Sequence, residues 1–366
     1  MKYQNICLTI TNFANRGGEE RMCATLANAL AKEGYHVIIV STDKPSSQQV
    51  QFAVSPEIKC YSLKSNRVEG KLSRMALTKN LWLQKYKMIL KHHKIQVVID
   101  VDVHNTLVTS KVVCKEDVRI VSWHHFNYDR FLAWPTRQAL HDSFCNKVNK
   151  LVVLTKSDQQ SFVEKEGIDA SLISQIYNPS PVEADAECTH TAKKVLAIGR
   201  LQEQKGFDLL LQSWARVEQA NADWTLEIVG DGFQKEELEG IISKLGLRRV
   251  VISPFTSEIK KKYQEASIYV LSSRYEGFAL VLLEAMAMSL PIVSFDCHTG
   301  PSELIENGRN GFLVPPLDTD ALADKLIQLI NDGELRQSMS HRSYEMSAQY
   351  RMENILPQWI QLLESI

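Results

Sequence analysis

The chain has 366 residues, of which 44% are hydrophobic and 23% charged. This is the composition of a folded globular protein too long for a single core, so two domains are expected and a disordered or fibrous chain is excluded. No run of about 18 apolar residues occurs, so no transmembrane helix is expected.

The opening residues, MKYQNICLTI, are too short and too polar for a secretion signal and read as a first strand. Cys7, Cys23, Cys60, Cys114, Cys145, Cys188 and Cys297 form no C-x-x-C pair, which argues for a reducing compartment and against a structural zinc. The net charge of −1 conceals an asymmetry. Residues 1–180 hold 24 Lys/Arg and 16 Asp/Glu, a net of +8, and the remainder holds 18 and 27, a net of −9. A cationic first half suits an anionic lipid or a diphosphate. Much of the excess is Lys59, Lys64, Arg67, Lys71, Arg74, Lys79, Lys85, Lys87, Lys91 and Lys94, set against the single acid Glu69. Leu72, Met75, Leu77, Leu81, Trp82, Tyr86, Ile89 and Leu90 are threaded through it. Two readings stay open, a basic amphipathic helix lying on a membrane surface and a solvated helix face. No nucleic-acid motif accompanies the charge.

Apolar strands at 6–10, 36–41, 58–63, 97–100, 119–123 and 151–155 alternate with helical patterns such as 19–32 and 72–92. The alternation predicts an α/β domain with a doubly wound parallel sheet, whose ligand lies outside the carboxyl ends of the strands. The first such loop ends in Gly17 and Gly18, which permit φ > 0 and close backbone approach just before a helix start. It is neither a G-x-G-x-x-G fingerprint nor a Walker loop. After the fifth strand come His124 and His125. Neighbours on a strand point to opposite faces, so the two do not share a metal ion.

The pattern breaks at residues 178–194, a Pro-containing and acidic linker. A second alternation follows, with strands at 195–199, 225–230, 250–253, 268–272, 291–295 and 311–314. Arg200 ends its first strand, and Lys205 follows in a loop closed by Gly206, so that two cations are placed to clamp a diphosphate. Val229-Gly230-Asp231-Gly232 is a further glycine-rich strand exit. The strand at 268–272 feeds a loop holding Glu276 and Gly277, then an Ala/Leu/Met-rich helix from Ala279. A helix start with unpaired N–H groups is an anion site. Glu284 lies eight residues after Glu276 inside an apolar stripe; it either faces solvent or is buried with a partner. Two carboxylates that can hold vicinal diols, beside a phosphate-binding helix start, describe a nucleotide-sugar pocket. The closing residues 349–366 carry Ile355, Leu356, Trp359, Ile360, Leu362 and Leu363 at helical spacing, and Pro357 is expected to kink or restart that helix.

Glu276-Gly277-Phe278-Ala279-Leu280 through Glu284-Ala285-Met286 resembles the glutamate-x7-glutamate signature of the retaining glycosyltransferases of family 4, of the bacterial surface-polysaccharide type. The likeness extends to Gly199-Arg200-Leu201-Gln202-Glu203-Gln204-Lys205-Gly206 and to Gly17-Gly18-Glu19-Glu20-Arg21, so it spans nearly the whole chain. Gly300-Pro301-Ser302-Glu303 and Asn310-Gly311-Phe312-Leu313-Val314 also recur in the family and are read as architecture.

The resemblance implies the GT-B fold, two Rossmann-like doubly wound domains facing across a cleft. They are an acceptor-binding domain at 1–180 and a nucleotide-sugar domain at 181–345, with a last helix at 346–366 crossing back to the first. It implies that Gly17, Gly18, Arg200, Lys205, Glu276, Gly277, Phe278, Ala279, Leu280 and Glu284 bind the donor. His125, Arg200, Lys205 and Glu276 form the catalytic set, with His125 favoured over His124 as the histidine near the donor sugar. The expected reaction moves a sugar from a nucleotide diphosphate, UDP in the first place, to a saccharide or lipid-linked saccharide with retention. No metal is expected, and the leaving phosphate takes the proton. Polysaccharide or lipopolysaccharide synthesis follows as the setting, in the cytoplasm or at the inner face of the cytoplasmic membrane, with no nucleic-acid partner. A nucleotide-sugar 2-epimerase of the same build and a non-catalytic nucleotide-sugar-binding protein remain as alternatives.

Overall fold

The computed structural model describes residues 2–42, 52–63, 72–184 and 186–366, with backbone only for 72–80. Lys64, Arg67, Glu69 and Lys71 of the basic stretch lie outside the described residues. The chain forms two compact units, Met1–Asn178 with Met352–Ile366, and Pro179–Arg351.

Unit 1 is built on β1 (Asn5–Ile10), β2 (His36–Ser41), β3 (Lys59–Ser62), β4 (Val97–Asp100), β5 (Arg119–His124), β6 (Lys150–Val153) and β7 (Ile173–Gln175). They pair in parallel in the order β3-β2-β1-β4-β5-β6-β7. The inner strands β1, β2, β4, β5 and β6 are apolar, largely β-branched runs buried on both faces, as expected of a parallel sheet covered by helices, while the edge strands β3 and β7 are more exposed. β7 is absent from the sequence-based expectation, because three residues reading Ile-Ser-Gln carry no pattern. The helix Gly18–Lys32 buries Met22, Cys23, Leu26 and Leu30. Beneath the sheet's carboxyl end, Asp100 is fully buried and accepts hydrogen bonds from Thr9 and, at 2.7 Å, Thr109. Burial outweighs those bonds and pushes its carboxyl up to about 6.

The helix Met352–Ser365 belongs to unit 1, burying Ile355, Leu356, Trp359, Leu362 and Leu363. Trp359 meets Trp123 of β5 edge-on at 4.7 Å between centroids. Pro357 does not restart this helix, which runs through it. Only the bond to the Glu353 carbonyl is forfeited there, and buried side chains on both sides of the proline hold the helix down. Among the described residues no helix is long and apolar enough to cross a membrane, and all seven cysteines are free thiols.

Unit 2 carries β8 (Lys194–Ile198), β9 (Thr225–Val229), β10 (Val250–Ser253), β11 (Ile268–Leu271), β12 (Ile292–Phe295) and β13 (Gly311–Val314), all parallel, in the order β10-β9-β8-β11-β12-β13. Its core packs Leu210, Trp214 and Val217 with Leu322, Leu326 and Leu329. The buried Glu227 of β9 is matched by Lys194 at 3.0 Å, Lys262 at 2.5 Å and Ser253 at 2.7 Å. Burial would raise its carboxyl, but these three donors prevail and hold it down at about 2.

Each sheet reverses its strand order at one place, between β1 and β4 in unit 1 and between β8 and β11 in unit 2. At such a reversal the connections leave in opposite directions and open a crevice at the strands' carboxyl ends, where ligands of this fold class bind.

Candidate active site

In unit 2 the loops after β8 and β11 meet over this crevice. The first runs Gly199-Arg200-Leu201 into a short turn, Glu203–Lys205, ended by Gly206 at φ +61°. A Cβ on Gly206 would lie 2.1 Å from the carbonyl oxygen of Ser272. Glycine is needed there both for its left-handed backbone and for its lack of a side chain. Ser272 Oγ donates to the Lys205 carbonyl at 2.9 Å, and the Arg274 amide to the Gln204 carbonyl at 2.8 Å. The Arg274 guanidinium forks onto Asp208 at 2.8 Å through both nitrogens and holds that carboxyl below its ordinary range. The β9 exit is joined as closely, since a Cβ on Gly230 would stand 1.9 Å from the Gly199 oxygen.

Inside this frame Lys205 Nζ donates to Glu276 Oε1 at 2.7 Å, and Ser273 Oγ to the same oxygen at 2.5 Å. Only 14% of the Lys205 side chain and 8% of that of Glu276 are exposed. Thr299 Oγ1 donates to the Glu276 carbonyl at 2.8 Å, and Gly300 packs against Gly277 and Ala279. The helix Leu280–Ala287 starts after Ala279 with no side-chain cap, leaving its first N–H groups for other acceptors. Glu284, 3% exposed, accepts a 2.6 Å hydrogen bond from the buried Tyr263 hydroxyl. Of the two readings for Glu284, the solvent-facing one is overturned. Arg200 differs from Lys205: it is exposed and makes no ion pair among the described residues.

The structure thus brings Arg200, Lys205, Glu276, Gly277, Phe278, Ala279, Leu280 and Glu284 to the carboxyl side of one sheet. Ser273, Tyr263 and Thr299 join them without having been singled out in the sequence. Ser273 and Thr299 flank segments already of interest, whereas nothing local marks Tyr263, 21 positions before Glu284.

His125, Gly17 and Gly18 belong to unit 1. The expectation that the glycine pair supplies φ > 0 is corrected: neither residue is left-handed, and Gly17 is extended at φ −121°. A Gly17 Cβ would stand 2.3 Å from the Glu20 carboxylate, the far end of a flexible side chain that could move aside. That carboxylate folds back over the start of its own helix, where an anionic ligand would otherwise sit. His124, fully buried, points among Phe126, Phe131, Trp134 and Phe162, and burial pushes its ring down to about 4. His125 lies against Trp123 at 4.3 Å, and its buried Nε2 has no hydrogen-bond partner among the described residues. Burial, reinforced by His124, pushes its ring down to about 3, so it is neutral at pH 7.

A cation paired with a carboxylate at a parallel-sheet switch point, with a second buried carboxylate on the adjoining helix, is an arrangement that can take a phosphate at the cation and hydroxyls at the carboxylates. Two family models cover nearly all of the chain, "Glycosyltransferase Family 4" at residues 16–183 and "Glycosyl transferases group 1" at residues 184–346. An uncharacterized glycosyltransferase of Haemophilus influenzae is 31% identical over 96% of this chain and 97% of its own length. The amylovoran biosynthesis glycosyltransferase AmsD of Erwinia amylovora is 29% identical over 98% and 99%. Among solved structures, a point mutant of S. aureus TarM in complex with fondaparinux, α-GlcNAc-glycerol and UDP superposes with a TM-score of 0.82 at 17% identity, covering 98% of this chain and 99% of that one. The chain belongs to the family-4 glycosyltransferases and has their two-domain GT-B fold.

Proposed function

We propose that this glycosyltransferase takes its sugar from a UDP-sugar and passes it, with retention of anomeric configuration, to a hydroxyl of a lipid-linked saccharide in surface-polysaccharide synthesis. The observation that carries this reading is the Lys205–Glu276 pair at the β8/β11 crevice. It sets a cation and a carboxylate side by side, so a donor whose diphosphate rests on Lys205 has its sugar ring at Glu276. Ser273 fixes the carboxylate that receives the sugar hydroxyls. Glu284, oriented by Tyr263, is read as holding the ribose diol. As the anomeric bond breaks, charge grows on the diphosphate. Arg200, Lys205 and the N–H groups at the start of the helix Leu280–Ala287 stabilise it, so no divalent cation is required. The leaving phosphate takes the acceptor's proton. UDP in the complex of TarM supports the choice of base. For His125 beside the transferred sugar, and for Gly17 and Gly18, the support is the family resemblance.

A cytoplasmic enzyme resting on the membrane's inner face is the setting we infer. In the described part of the helix Leu72–His92, Leu81 and Met88 are 61% and 65% exposed, beside exposed Lys87 and Lys91. Apolar side chains among cations suit an anionic lipid surface.

The test is thermal unfolding with UDP and UDP-sugars, on the intact chain and on Glu284→Ala and Lys205→Ala. A ligand at 100 times its Kd adds about 2.7 kcal/mol. Stabilisation of the intact chain that both variants lose supports the pocket; variants that respond like the intact chain overturn it. Proton NMR of the product then reads the anomeric configuration, and inversion would refute retention. Donor consumed without any acceptor would favour the epimerase, and turnover lost in EDTA but restored by a divalent cation would refute the metal-free reading.

A further inference from the structure

The crevice between β1 and β4 of unit 1 carries a side-chain cluster to which neither the sequence nor the comparisons assign a role. Thr11 follows β1 and Asp102 follows β4, and Thr11 Oγ1 donates to Asp102 Oδ2 at 2.5 Å. Asp102 Oδ1 accepts the His104 amide at 2.9 Å and lies 3.1 Å from His104 Nδ1. Burial alone would raise the Asp102 carboxyl, but the hydrogen bonds from His104 and Thr11 prevail and keep it ionised. With Nδ1 turned to a carboxylate, the His104 ring presents its other nitrogen, Nε2, as an acceptor. The His104 side chain is 38% exposed, and Nε2 makes no hydrogen bond to a described residue.

A hydrophobic wall adjoins this pair. The ring of Trp134 lies 4.4 Å from that of His104, and Phe126, 39% exposed, meets Trp134 edge-on at 5.4 Å. Both rest on the buried ring of His124, and Trp134 also on that of Phe131, while His124 is itself held edge-on between Phe131 and Phe162. The chemistry selects among ligands. An ionised carboxylate at the crevice repels phosphates and carboxylates, and an apolar wall with a few fixed hydrogen-bonding groups is the lining of a site for a neutral organic ring. A pyranose has both requirements, hydroxyls at its edge and a face of C–H groups.

We propose that the β1/β4 crevice is a binding site for a neutral pyranose, with His104 Nε2 accepting a hydrogen bond from a ring hydroxyl and Trp134 and Phe126 covering the sugar's carbon face. Asp102 positions the imidazole, and Thr11 positions Asp102. The inference rests on the transferase reading in that this sugar is the terminal residue of the acceptor.

Saturation-transfer NMR on the full chain with methyl α-glucoside, methyl α-galactoside and methyl α-N-acetylglucosaminide tests it, with the Trp134 emission, read as the difference between the intact chain and Trp134→Leu, as a second readout and the UDP-induced thermal shift measured in parallel. The expected result is binding of at least one glycoside that His104→Gln and Trp134→Leu each weaken tenfold or more, with the UDP shift unchanged. Asp102→Asn is expected to weaken the same glycoside while leaving Trp134 emission as it is. No binding by any of the three glycosides, or binding that His104→Gln and Trp134→Leu leave intact, overturns the site. A chain that binds a glycoside but never UDP keeps this site and overturns the donor reading instead.

Discussion

Replacing Lys205 by Met keeps an aliphatic stem alongside Gly199 but leaves the Glu276 carboxylate, 8% exposed, without its cation. Removing one partner of a fully buried ion pair costs about 3–5 kcal/mol. Here Ser273 keeps one hydrogen bond on the same oxygen, so the loss is set by a single bond to a charged group, about 1.5–3 kcal/mol. For a unit of this size each kcal/mol moves Tm by about 2–4 °C, so the unit 2 transition is expected to fall by about 3–12 °C. Glu276→Gln alone strands the ammonium less severely, because 14% of the Lys205 side chain meets solvent. The double variant removes both charges and is expected to be more stable than the sum of the single losses by about 1 kcal/mol or more. Calorimetry on the four proteins measures this coupling, and turnover of the Lys205→Met protein should fall about a hundredfold to a thousandfold. Losses that add to within about 0.5 kcal/mol would mean the two side chains do not interact, and the reasoning from their 2.7 Å contact would fail.

Gly206→Ala meets both a left-handed backbone, worth about 1–2 kcal/mol against an L side chain, and a carbonyl 2.1 Å from the new methyl. It should therefore lower Tm and raise the donor KM together; an alanine variant with wild-type values of both would refute the close approach of the two loops. The buried Asp100 carboxyl, pushed up to about 6 in the folded chain, binds its proton more tightly folded than unfolded. Its contribution is thus favourable below about pH 4 and is lost as pH rises through 6. Asp100→Asn, which keeps an acceptor for Thr9 and Thr109, is expected to raise Tm more at pH 8 than at pH 5, and an equal effect at both would show that the carboxyl is not the cause.

Much of the fold could be read because inner parallel strands buried on both faces are continuous apolar, largely β-branched runs: eight of the thirteen strands needed only shifts of one or two residues at their ends, while β2, β4, β10 and β13 needed none. β7 could not, since a sheet edge of three residues is defined by its neighbour β6 rather than by its own composition. The site was legible where it is local. Glu276 and Glu284 lie on one loop and its helix, but the Lys205–Glu276 contact spans 71 positions and depends on how two loops close over a sheet. The orientation of Glu284 stayed open because the helix Leu280–Ala287 is apolar nearly all round and gives no amphipathic direction. Gly17 was read for its backbone freedom, but its extended φ of −121° needs none, and glycine's identity alone cannot distinguish an extended position from a left-handed turn. Asp102 and His104 were passed over for a similar reason, since one acid and one histidine two apart are unremarkable until the strand order sets them beside Thr11.

The helix Met352–Ser365 completes the first unit although every residue of the second precedes it. On a ribosome adding about 5–20 residues each second, unit 2 can gather its whole sequence while unit 1 waits on the order of ten to thirty seconds for its last helix. Until then the indole of Trp123, which Trp359 covers, has no lid, and the strand that ends in His124 and leads into His125 lacks its backing. Unit 2 is an uninterrupted stretch of chain, whereas unit 1 is a domain with an insertion. A fault in the final residues is therefore a fault in the first domain, and is felt at the start of the protein rather than at its end.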